Sequence, residues 1–368
     1  MKTTLSALTL LASALAADNT TATTCAPVAQ QCCRNTFKPD ELTYTTYGEF
    51  LYMQPNSNDL YYGASAIGIN YDTSANVAAI VSPQWTILEI QPDYHPGFEV
   101  GIRFGFHTAN IELGANWQWL HGDDSDSFDT LNLAGYMVGP FWDIGPNSTS
   151  YKNARGSASS HFDAVNLTFA REFCFFNNFR TRFYGAAAFV CIKQTLQSSY
   201  SNVAGTIVRQ LHNSSTFLGA GPQMGLDYEY RMCNNFFFSG SSVASLIMGQ
   251  MRNTATYQSY STFLNGSAVS NPNNQATTIP NRAQLVPALE QKLGFSYLAT
   301  WERTRATFEL GYRCQVYFNA IQNYDMISQV LTNAATVSPT VGVFAVAFNQ
   351  TNSNFMLTGP YATVGVEY

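Results

Sequence analysis

The chain has 368 residues, of which 46% are hydrophobic, 14% are aromatic and only 11% are charged, with a formal net charge of −6. Soluble domains carry about 25% charged residues, so this composition argues against an ordinary soluble protein. The acidic balance also argues against a nucleic-acid partner, because such binding depends on clustered Lys and Arg. A surface that faces lipid needs few charges.

The N-terminus has the three parts of a secretory signal peptide. Lys2 provides the positive charge, residues 5–15 form a short apolar core, and Ala14 and Ala16 fit the small-residue cleavage pattern. The apolar run is shorter than the about 20 residues that a membrane-spanning helix needs. We therefore expect a signal peptide at 1–16, followed by a Cys-bearing segment at 17–43 in an exported chain.

From residue 44 onward, the dominant period of the hydrophobic residues is two. Phe98, Val100 and Ile102, for example, alternate with Glu99 and Gly101, which is the pattern of a strand rather than a helix. The alternating runs reach the ~9–11 residues that a tilted strand needs to cross a bilayer, whereas strands of soluble sandwiches are typically ~5–6 residues long. Because lipid tolerates only helices and closed barrels, these strands predict a barrel.

The alternating runs predict ten strands, joined by short and long connections in turn. The predicted strands are 44–54, 93–107, 109–120, 161–173, 179–193, 215–231, 235–250, 287–301, 304–318 and 355–368. The long connections are 55–92, 121–160, 194–214, 251–286 and 319–354, and they are rich in Asn, Ser, Thr, Gly and Pro. The alternation of short and long connections is typical of outer-membrane barrels, which have short periplasmic turns and long external loops. The predicted fold class is an all-β, transmembrane antiparallel β-barrel of about ten strands. It is expected to be an outer-membrane β-barrel at 44–368, which makes the Cys-bearing segment 17–43 periplasmic. A count of eight to twelve stays open, because segments 135–145 and 340–348 can hold further strands.

The chain ends on an alternating strand, YATVGVEY, whose last residue is the aromatic Tyr368. This ending resembles the signal by which barrel proteins are passed to the outer-membrane insertion machinery. We therefore expect two partners, namely that machinery and the lipid of the bacterial outer membrane.

Several Gly-rich and aromatic segments resemble a known family. These segments are GEFLYMQP (48–55), PDYHPGFEVGIRFGF (92–106), IELGANWQWL (111–120), FLGAGPQMGLDYEYR (217–231) and the terminal YATVGVEY. They are similar to the Legionella-type major outer membrane proteins and to the porin-like major outer membrane proteins of chlamydia-like bacteria. Members are regarded as porins or abundant envelope proteins, so the resemblance implies an outer-membrane location and brings no catalytic motif. The Cys-bearing N-terminal segment is less typical of the family.

The polar residues that alternate with the apolar ones are predicted to face the lumen. These pore-lining candidates are Glu99, Arg103, Glu112, Asn116, Gln118, Asp227, Glu229, Glu290, Lys292, Glu309 and Arg313. Acidic side chains outnumber basic ones, which favours a weakly cation-selective passage, since rings of charge set pore selectivity. Alternatively, the same side chains pair across the interior and close it, because small barrels are filled by their side chains.

The seven cysteines are unusual for a barrel and lie in an exported chain, where disulfides are permitted. The disulfide candidates, all predicted on the periplasmic side, are Cys25, Cys32, Cys33, Cys174 and Cys233. They suit either cross-links to envelope partners or to further copies of the chain, or one or two internal bridges. Cys191 and Cys314 are expected to act as small apolar residues.

Aromatic residues near the predicted strand ends are typical of a membrane girdle. The girdle candidates are Trp117, Trp119, Tyr228, Tyr230, Tyr297, Trp301 and Tyr368. The sequence contains no Gly-x-Ser-x-Gly, no His-Glu-x-x-His and no phosphate-binding loop, so we expect neither an enzyme nor a metal or cofactor.

Three functions remain open from the sequence. The leading hypothesis is passive diffusion of small hydrophilic solutes or ions through a porin-like barrel. The alternatives are a disulfide-linked structural protein of the envelope and an adhesin that acts through its external loops, each with a closed lumen.

Overall fold

Ten long strands of this chain close into an antiparallel barrel. The computed structural model describes residues 42–67, 84–106, 111–130, 136–139, 151–176, 178–201, 207–233, 235–259, 262–264, 267–269, 273–301, 304–329 and 345–368. The predicted signal peptide 1–16 and residues 17–41 of the Cys-bearing segment lie outside the described residues, so these two domain assignments stay predictions.

The described strands follow the chain in this order: β1 (Leu42–Ser57), β2 (Tyr61–Ile67), β3 (Gln84–Glu89), β4 (His95–Phe106), β5 (Ile111–Asp129), β6 (Tyr136–Gly139), β7 (Asn153–Phe176), β8 (Phe179–Ser201), β9 (Ile207–Arg231), β10 (Phe236–Ser259), β11 (Thr262–Leu264), β12 (Ser267–Val269), β13 (Asn273–Trp301), β14 (Thr304–Gln329) and β15 (Ala345–Glu367). The barrel order is β1-β15-β14-β13-β10-β9-β8-β7-β5-β4, and β1 closes it by pairing with both β15 and β4. The predicted ten-stranded antiparallel barrel is therefore confirmed.

The barrel strands are longer than the hydrophobic alternation predicts. Strands β7, β8 and β9 have 24, 23 and 25 residues, about twice the length that crosses a bilayer. Their additional residues belong to the polar segments 121–160 and 194–214, which were expected to be loops. These segments continue the ladder away from the short turns, where the outer face is polar and the inner face mixes apolar residues such as Tyr200 with polar ones such as Ser198, so no regular alternation marks them.

A small second sheet forms from the long connections, in the order β3-β2-β6. Its buried residues include Leu60, Tyr62 and Val138, which pack with Ala158 of β7 and Tyr200 of β8. The described part of segment 135–145 is β6 of this sheet, and the described part of segment 340–348 is the start of β15, so these described residues add no further strand to the barrel.

The outer face of the barrel is apolar. On β13, Leu285, Leu293 and Phe295 are 44–60% exposed, whereas the alternate residues Val286 and Ala288 are buried. Exposure of the apolar set and burial of the alternate set is the arrangement of a barrel with lipid outside. Among the described residues, no helix is long and apolar enough to cross a membrane.

The seam that closes the barrel is tightest at Gly359 of β15. A Cβ added there would lie 2.1 Å from the backbone oxygen of Tyr52 on β1, whereas a Cβ at Gly48 on β1 would meet nothing within 4 Å. Backbone atoms of a paired strand cannot rotate away as a side chain can. Only glycine fits at position 359 without moving β1.

We expect Gly359→Ala to loosen the β1–β15 seam and to lower the temperature at which the folded band converts to the unfolded band on SDS gels. Gly48→Ala is the matched control, and it should keep or raise that temperature, because Ala loses less backbone entropy on folding than Gly. Equal transition temperatures for the two variants would contradict this view of the seam.

Candidate functional site in the barrel lumen

Two pairs of like charges face the lumen from neighbouring strands. Glu49 of β1 lies directly opposite Glu99 of β4. Lys292 of β13 lies directly opposite Arg313 of β14. Like charges in directly opposite positions destabilise a sheet. Each pair is therefore stable only when charges of the opposite sign lie nearby, and the closed barrel brings the acidic and the basic pair together.

Arg313 joins the two pairs. Its Nη1 donates to Glu49 Oε1 at 2.8 Å and to Glu99 Oε2 at 2.7 Å, and its Nη2 lies 2.9 Å from Glu290 Oε1. Lys292 Nζ donates to both carboxylate oxygens of Glu49 at 3.0 Å. Glu49, Glu99 and Arg313 are at most 5% exposed, and charges at such depth are stable only when paired. We call these five residues the central charge cluster; it holds three acids and two bases.

Neutral donors complete the coordination of the two paired glutamates. Asn116 Nδ2 donates to Glu99 Oε1 at 2.6 Å, and the Tyr47 hydroxyl donates to the same oxygen at 3.0 Å. The Thr363 hydroxyl donates to Glu49 Oε2 at 3.0 Å. Each carboxylate is thus held by charged and neutral donors, which fixes its orientation in the lumen.

Two glutamines extend the cluster across the lumen. Gln118 of β5 accepts from Arg313 Nη2 at 2.9 Å and from Gln315 Nε2 at 3.1 Å. Gln315 Nε2 also donates to Glu290 Oε2 at 2.7 Å. A cavity of about 20 Å³ beside these side chains has room for about one water.

A second group of charges lies nearer the short turns. Arg182 Nη2 is 2.5 Å from Glu112 Oε1, and its Nη1 is 2.6 Å from Asp227 Oδ2. Arg103 Nε lies 3.8 Å from Glu112 Oε1. We call these four residues the lower charge cluster. Its two acids and two bases balance.

An apolar layer fills the lumen on the other side of the central charge cluster. Leu51, Phe162, Phe217 and Phe355 are at most 1% exposed. The ring of Phe162 on β7 lies 5.4 Å from that of Tyr317 on β14, centroid to centroid, and β7 and β14 are opposite walls of the barrel. Side chains from opposite walls therefore meet at this height.

The structure places all the predicted pore-lining residues within these groups or close to them. The central charge cluster contains four of them, Glu99, Glu290, Lys292 and Arg313, and Asn116 and Gln118 are its neighbours. The lower charge cluster contains Arg103, Glu112 and Asp227. Of the remaining two, Glu309 accepts from the Tyr361 hydroxyl at 2.5 Å, and Glu229 lies 3.6 Å from Arg180 near the short turns. That they line a conducting pore stays a prediction.

Two members of these clusters were not predicted to line the pore. Glu49 and Arg182 were not among the pore-lining candidates. Each nevertheless has as many charged partners as most of the candidates have. Each alternates with an aromatic residue, Phe50 or Phe183, so the period-two rule applied to every strand would have found both.

The predicted girdle residues lie at two heights. Trp117 and Trp119 are on β5, and Trp119 stacks on Phe98 with ring centroids 5.5 Å apart. The others lie near the short turns: Tyr230, Tyr297, Trp301 and Tyr368 are 38–58% exposed, and the Tyr228 hydroxyl accepts from Gln291 Nε2 at 3.0 Å. Their role as membrane anchors stays a prediction.

The seven cysteines lie in different parts of the chain, and the structure describes only some of them. Cys25, Cys32 and Cys33 lie outside the described residues. Cys174 pairs by its backbone with Arg180 near the end of β7, although its side chain is not among those described, and Cys233 lies in the short connection between β9 and β10. Cys191 and Cys314 are free thiols. Disulfide formation stays a prediction.

Residues 39–368 match the family model of the Legionella pneumophila major outer membrane protein precursor. The chain belongs to this family. As a major outer membrane protein, it is located in the bacterial outer membrane. The short turns of such barrels face the periplasm and the long connections face outward, so the apolar layer lies on the external side of the central charge cluster.

Solved structures with a similar fold include three outer-membrane proteins. The outer membrane protease OmpT of Escherichia coli is 11% identical over 90% of this chain and 98% of its own, with a TM-score of 0.40. The Pseudomonas putida toluene transporter TodX is 8% identical over 90% of each chain, with a TM-score of 0.31. A Pseudomonas aeruginosa FadL homologue is 5% identical over 89% of this chain and 90% of its own, with a TM-score of 0.23. No curated protein matches the chain. At these values, the likenesses carry no information about function.

We expect Arg313→Met to lower the free energy of unfolding of this major outer membrane protein by about 3–5 kcal/mol, because it leaves buried carboxylates without their partner. Arg171→Met is the matched control: Arg171 is an exposed base of β7 nearer the periplasmic end, and we expect a change of at most about 0.5 kcal/mol there. Urea unfolding in lipid vesicles, followed by Trp fluorescence, measures both. A loss at Arg313 no larger than that at Arg171 would show that the central charge cluster is hydrated and weak.

Proposed function

We propose that this outer membrane protein is a narrow, gated channel for small hydrophilic solutes or ions. Its gate has two constrictions in series, the central charge cluster and the apolar layer. The observation that carries the proposal is the position of Arg313, which joins carboxylates of β1, β4 and β13 inside the lumen. The proposal assigns no catalysis to the protein.

The central charge cluster supports a role beyond filling space. Burying charges costs more than burying apolar side chains of similar size, and such clusters can be replaced by apolar residues without loss of stability. Arg313 has three carboxylates within 2.9 Å, so it can give up one of them and still keep a partner. Exchange among these partners would open a polar path past the guanidinium.

The charge balance supports a preference for cations. Glu49, Glu99 and Glu290 outnumber Lys292 and Arg313 in the central charge cluster, and the lower cluster is balanced. A ring of charge selects the opposite charge in a narrow pore. A passing cation would meet one uncompensated carboxylate.

The apolar layer supports a low open probability. Hydrophobic constrictions gate by expelling water, and the rings of Phe162 and Tyr317 must separate before water can pass. The contact between these rings involves side chains alone, so rotamer changes suffice to break it. Conduction therefore requires both constrictions to open together.

A second candidate function is a structural barrel with a permanently closed lumen, and one observation favours it. In the apolar layer, side chains from distant strands of the barrel meet across the lumen, including Phe162 of β7 with Phe355 of β15 at a centroid distance of 6.2 Å. In this role, the periplasmic cysteines would link the barrel to the envelope or to further copies, and the long external strands would present an adhesive surface.

In planar bilayers, we expect the purified protein to produce small, infrequent, cation-selective current steps. The double variant Phe162→Ala/Tyr317→Ala should increase the open probability several-fold, because it removes the rings that meet across the lumen. Phe308→Ala is the matched control, since Phe308 is a lipid-facing aromatic residue of the same strand as Tyr317 and is 45% exposed. Silence from the folded wild type and from the folded double variant would sink the channel and leave the structural barrel.

The structural role makes a separate prediction for the cysteines. On non-reducing gels of isolated outer membranes, we expect a ladder of oligomers that collapses on reduction and weakens in a Cys25→Ser/Cys32→Ser/Cys33→Ser variant. Cys314→Ser is the control, because Cys314 is a free thiol within β14. An unchanged single band in wild type with and without reductant would remove the disulfide-linked role.

A further inference from the structure

The outer face of β8, β9 and β10 changes from apolar to polar over three successive rows of paired residues. Counted outward from the membrane, the rows are Phe189, Ala220 and Met248, then Cys191, Leu218 and Gln250, then Lys193, Thr216 and Arg252. Phe189, Leu218 and Met248 are 50–65% exposed, as lipid-facing residues are. The third row is the first to carry charge, and the next residues outward are Thr195, Ser214 and Thr254. This row therefore lies at the external edge of the hydrocarbon layer.

The charged row continues onto two further strands. His161 of β7 lies opposite Lys193, and His121 of β5 lies opposite His161. Both histidines have carboxylate partners: His121 Nε2 is 3.1 Å from Asp123 Oδ2, and His161 Nε2 is 2.6 Å from Asp163 Oδ2. The two acids of this face are thus occupied by the two histidines.

Asp123 has a second partner besides His121. A hydrogen bond from Ser159, and then the nearby His121, lower the pKa of the Asp123 carboxyl. Asp123 therefore stays charged and stays beside His121, two strands away from Lys193.

Lys193 and Arg252 have no such partners. Both are exposed, and neither forms an ion pair with another described residue. Neighbouring strands lie about 4.8 Å apart, so the backbones of these two residues are about 10 Å apart with β9 between them. The long side chains can close that gap around one anion, and the half-buried Thr216 between them carries a hydroxyl donor.

The charged row does not extend all round the barrel. On the seam opposite, Gln54 of β1 pairs with Thr358 of β15, and the next outward residues are Asn56 and Met356, none of which is charged. A general attraction to the membrane surface would need cations all round this row. Lys193 and Arg252 instead lie on either side of the single residue Thr216, which indicates a local site.

We propose that Lys193, Thr216 and Arg252 bind the phosphoryl group of a phosphorylated glycolipid in the outer leaflet. Cationic side chains at a membrane edge attract anionic headgroups, and Lys and Arg form strong charge-assisted hydrogen bonds with phosphate. The apolar rows below, with Phe189, Leu218 and Met248, contact the acyl chains of the same molecule. A site that holds both parts distinguishes this lipid from free phosphate.

The test uses the folded full-length protein in detergent micelles and bis-phosphorylated lipid A as the probe, with bound lipid counted by native mass spectrometry. We expect Lys193→Gln/Arg252→Gln to weaken binding about tenfold or more, since each cation near a membrane surface contributes on the order of a fivefold change in affinity. Arg171→Gln is the matched control, because Arg171 is an exposed base of β7 nearer the periplasmic end. Folding of each variant is checked by its heat-modifiable gel shift.

Further measurements decide the proposal. Dephosphorylated lipid A should bind wild type and the double variant equally, and millimolar inorganic phosphate should leave lipid A binding unchanged. Equal lipid A binding by wild type and the folded double variant, or an equal loss in Arg171→Gln, would overturn the site. Displacement of lipid A by inorganic phosphate would overturn the assignment to a glycolipid.

Discussion

The pairing of like charges on neighbouring strands is the constraint on which the lumen of this barrel depends. Glu49 opposite Glu99, and Lys292 opposite Arg313, are repulsive pairs when each is taken alone. They become favourable only where they meet, and they meet because a single strand, β15, separates β1 from β14. Closure of the barrel and neutralisation of the charges thus support each other: the seam that Gly359 allows to close is also the seam across which Arg313 reaches Glu49.

The size of the barrel decides how the rest of the interior is used. Ten strands enclose a space between that of small barrels, which side chains fill, and that of large porins, which hold water. Rings from opposite walls can therefore touch, as Phe162 and Tyr317 do. The buried charges lie on the periplasmic side of these rings, so a charged layer and an apolar layer follow each other along the lumen. This arrangement is compatible with a gate, and it also explains why a sealed structural barrel is the natural competing function.

The sequence predicts the membrane part of the fold well, because there the two faces of each strand have different solvents. It predicts the external part poorly: Ser198 on the inner face of β8 and Ser199 on its outer face are both polar, so no alternation marks the strand there. The lumen-facing charges follow from the same alternation, and Glu99 and Arg313 were both predicted. Their meeting could not be predicted, because it depends on the register of strands that lie 214 residues apart in the chain and on closure of the barrel.

The most direct measurement of the central claim is the coupling free energy between Glu99 and Arg313. Urea unfolding of wild type, Glu99→Gln, Arg313→Met and the double variant in lipid vesicles provides the four free energies of a double-mutant cycle. If the buried charges hold the lumen closed, the coupling should be about 2–3 kcal/mol, with the double variant more stable than the sum of the single losses predicts. A coupling within about 0.5 kcal/mol of zero would mean that the two groups are separated by water, and the closed lumen would then be wrong.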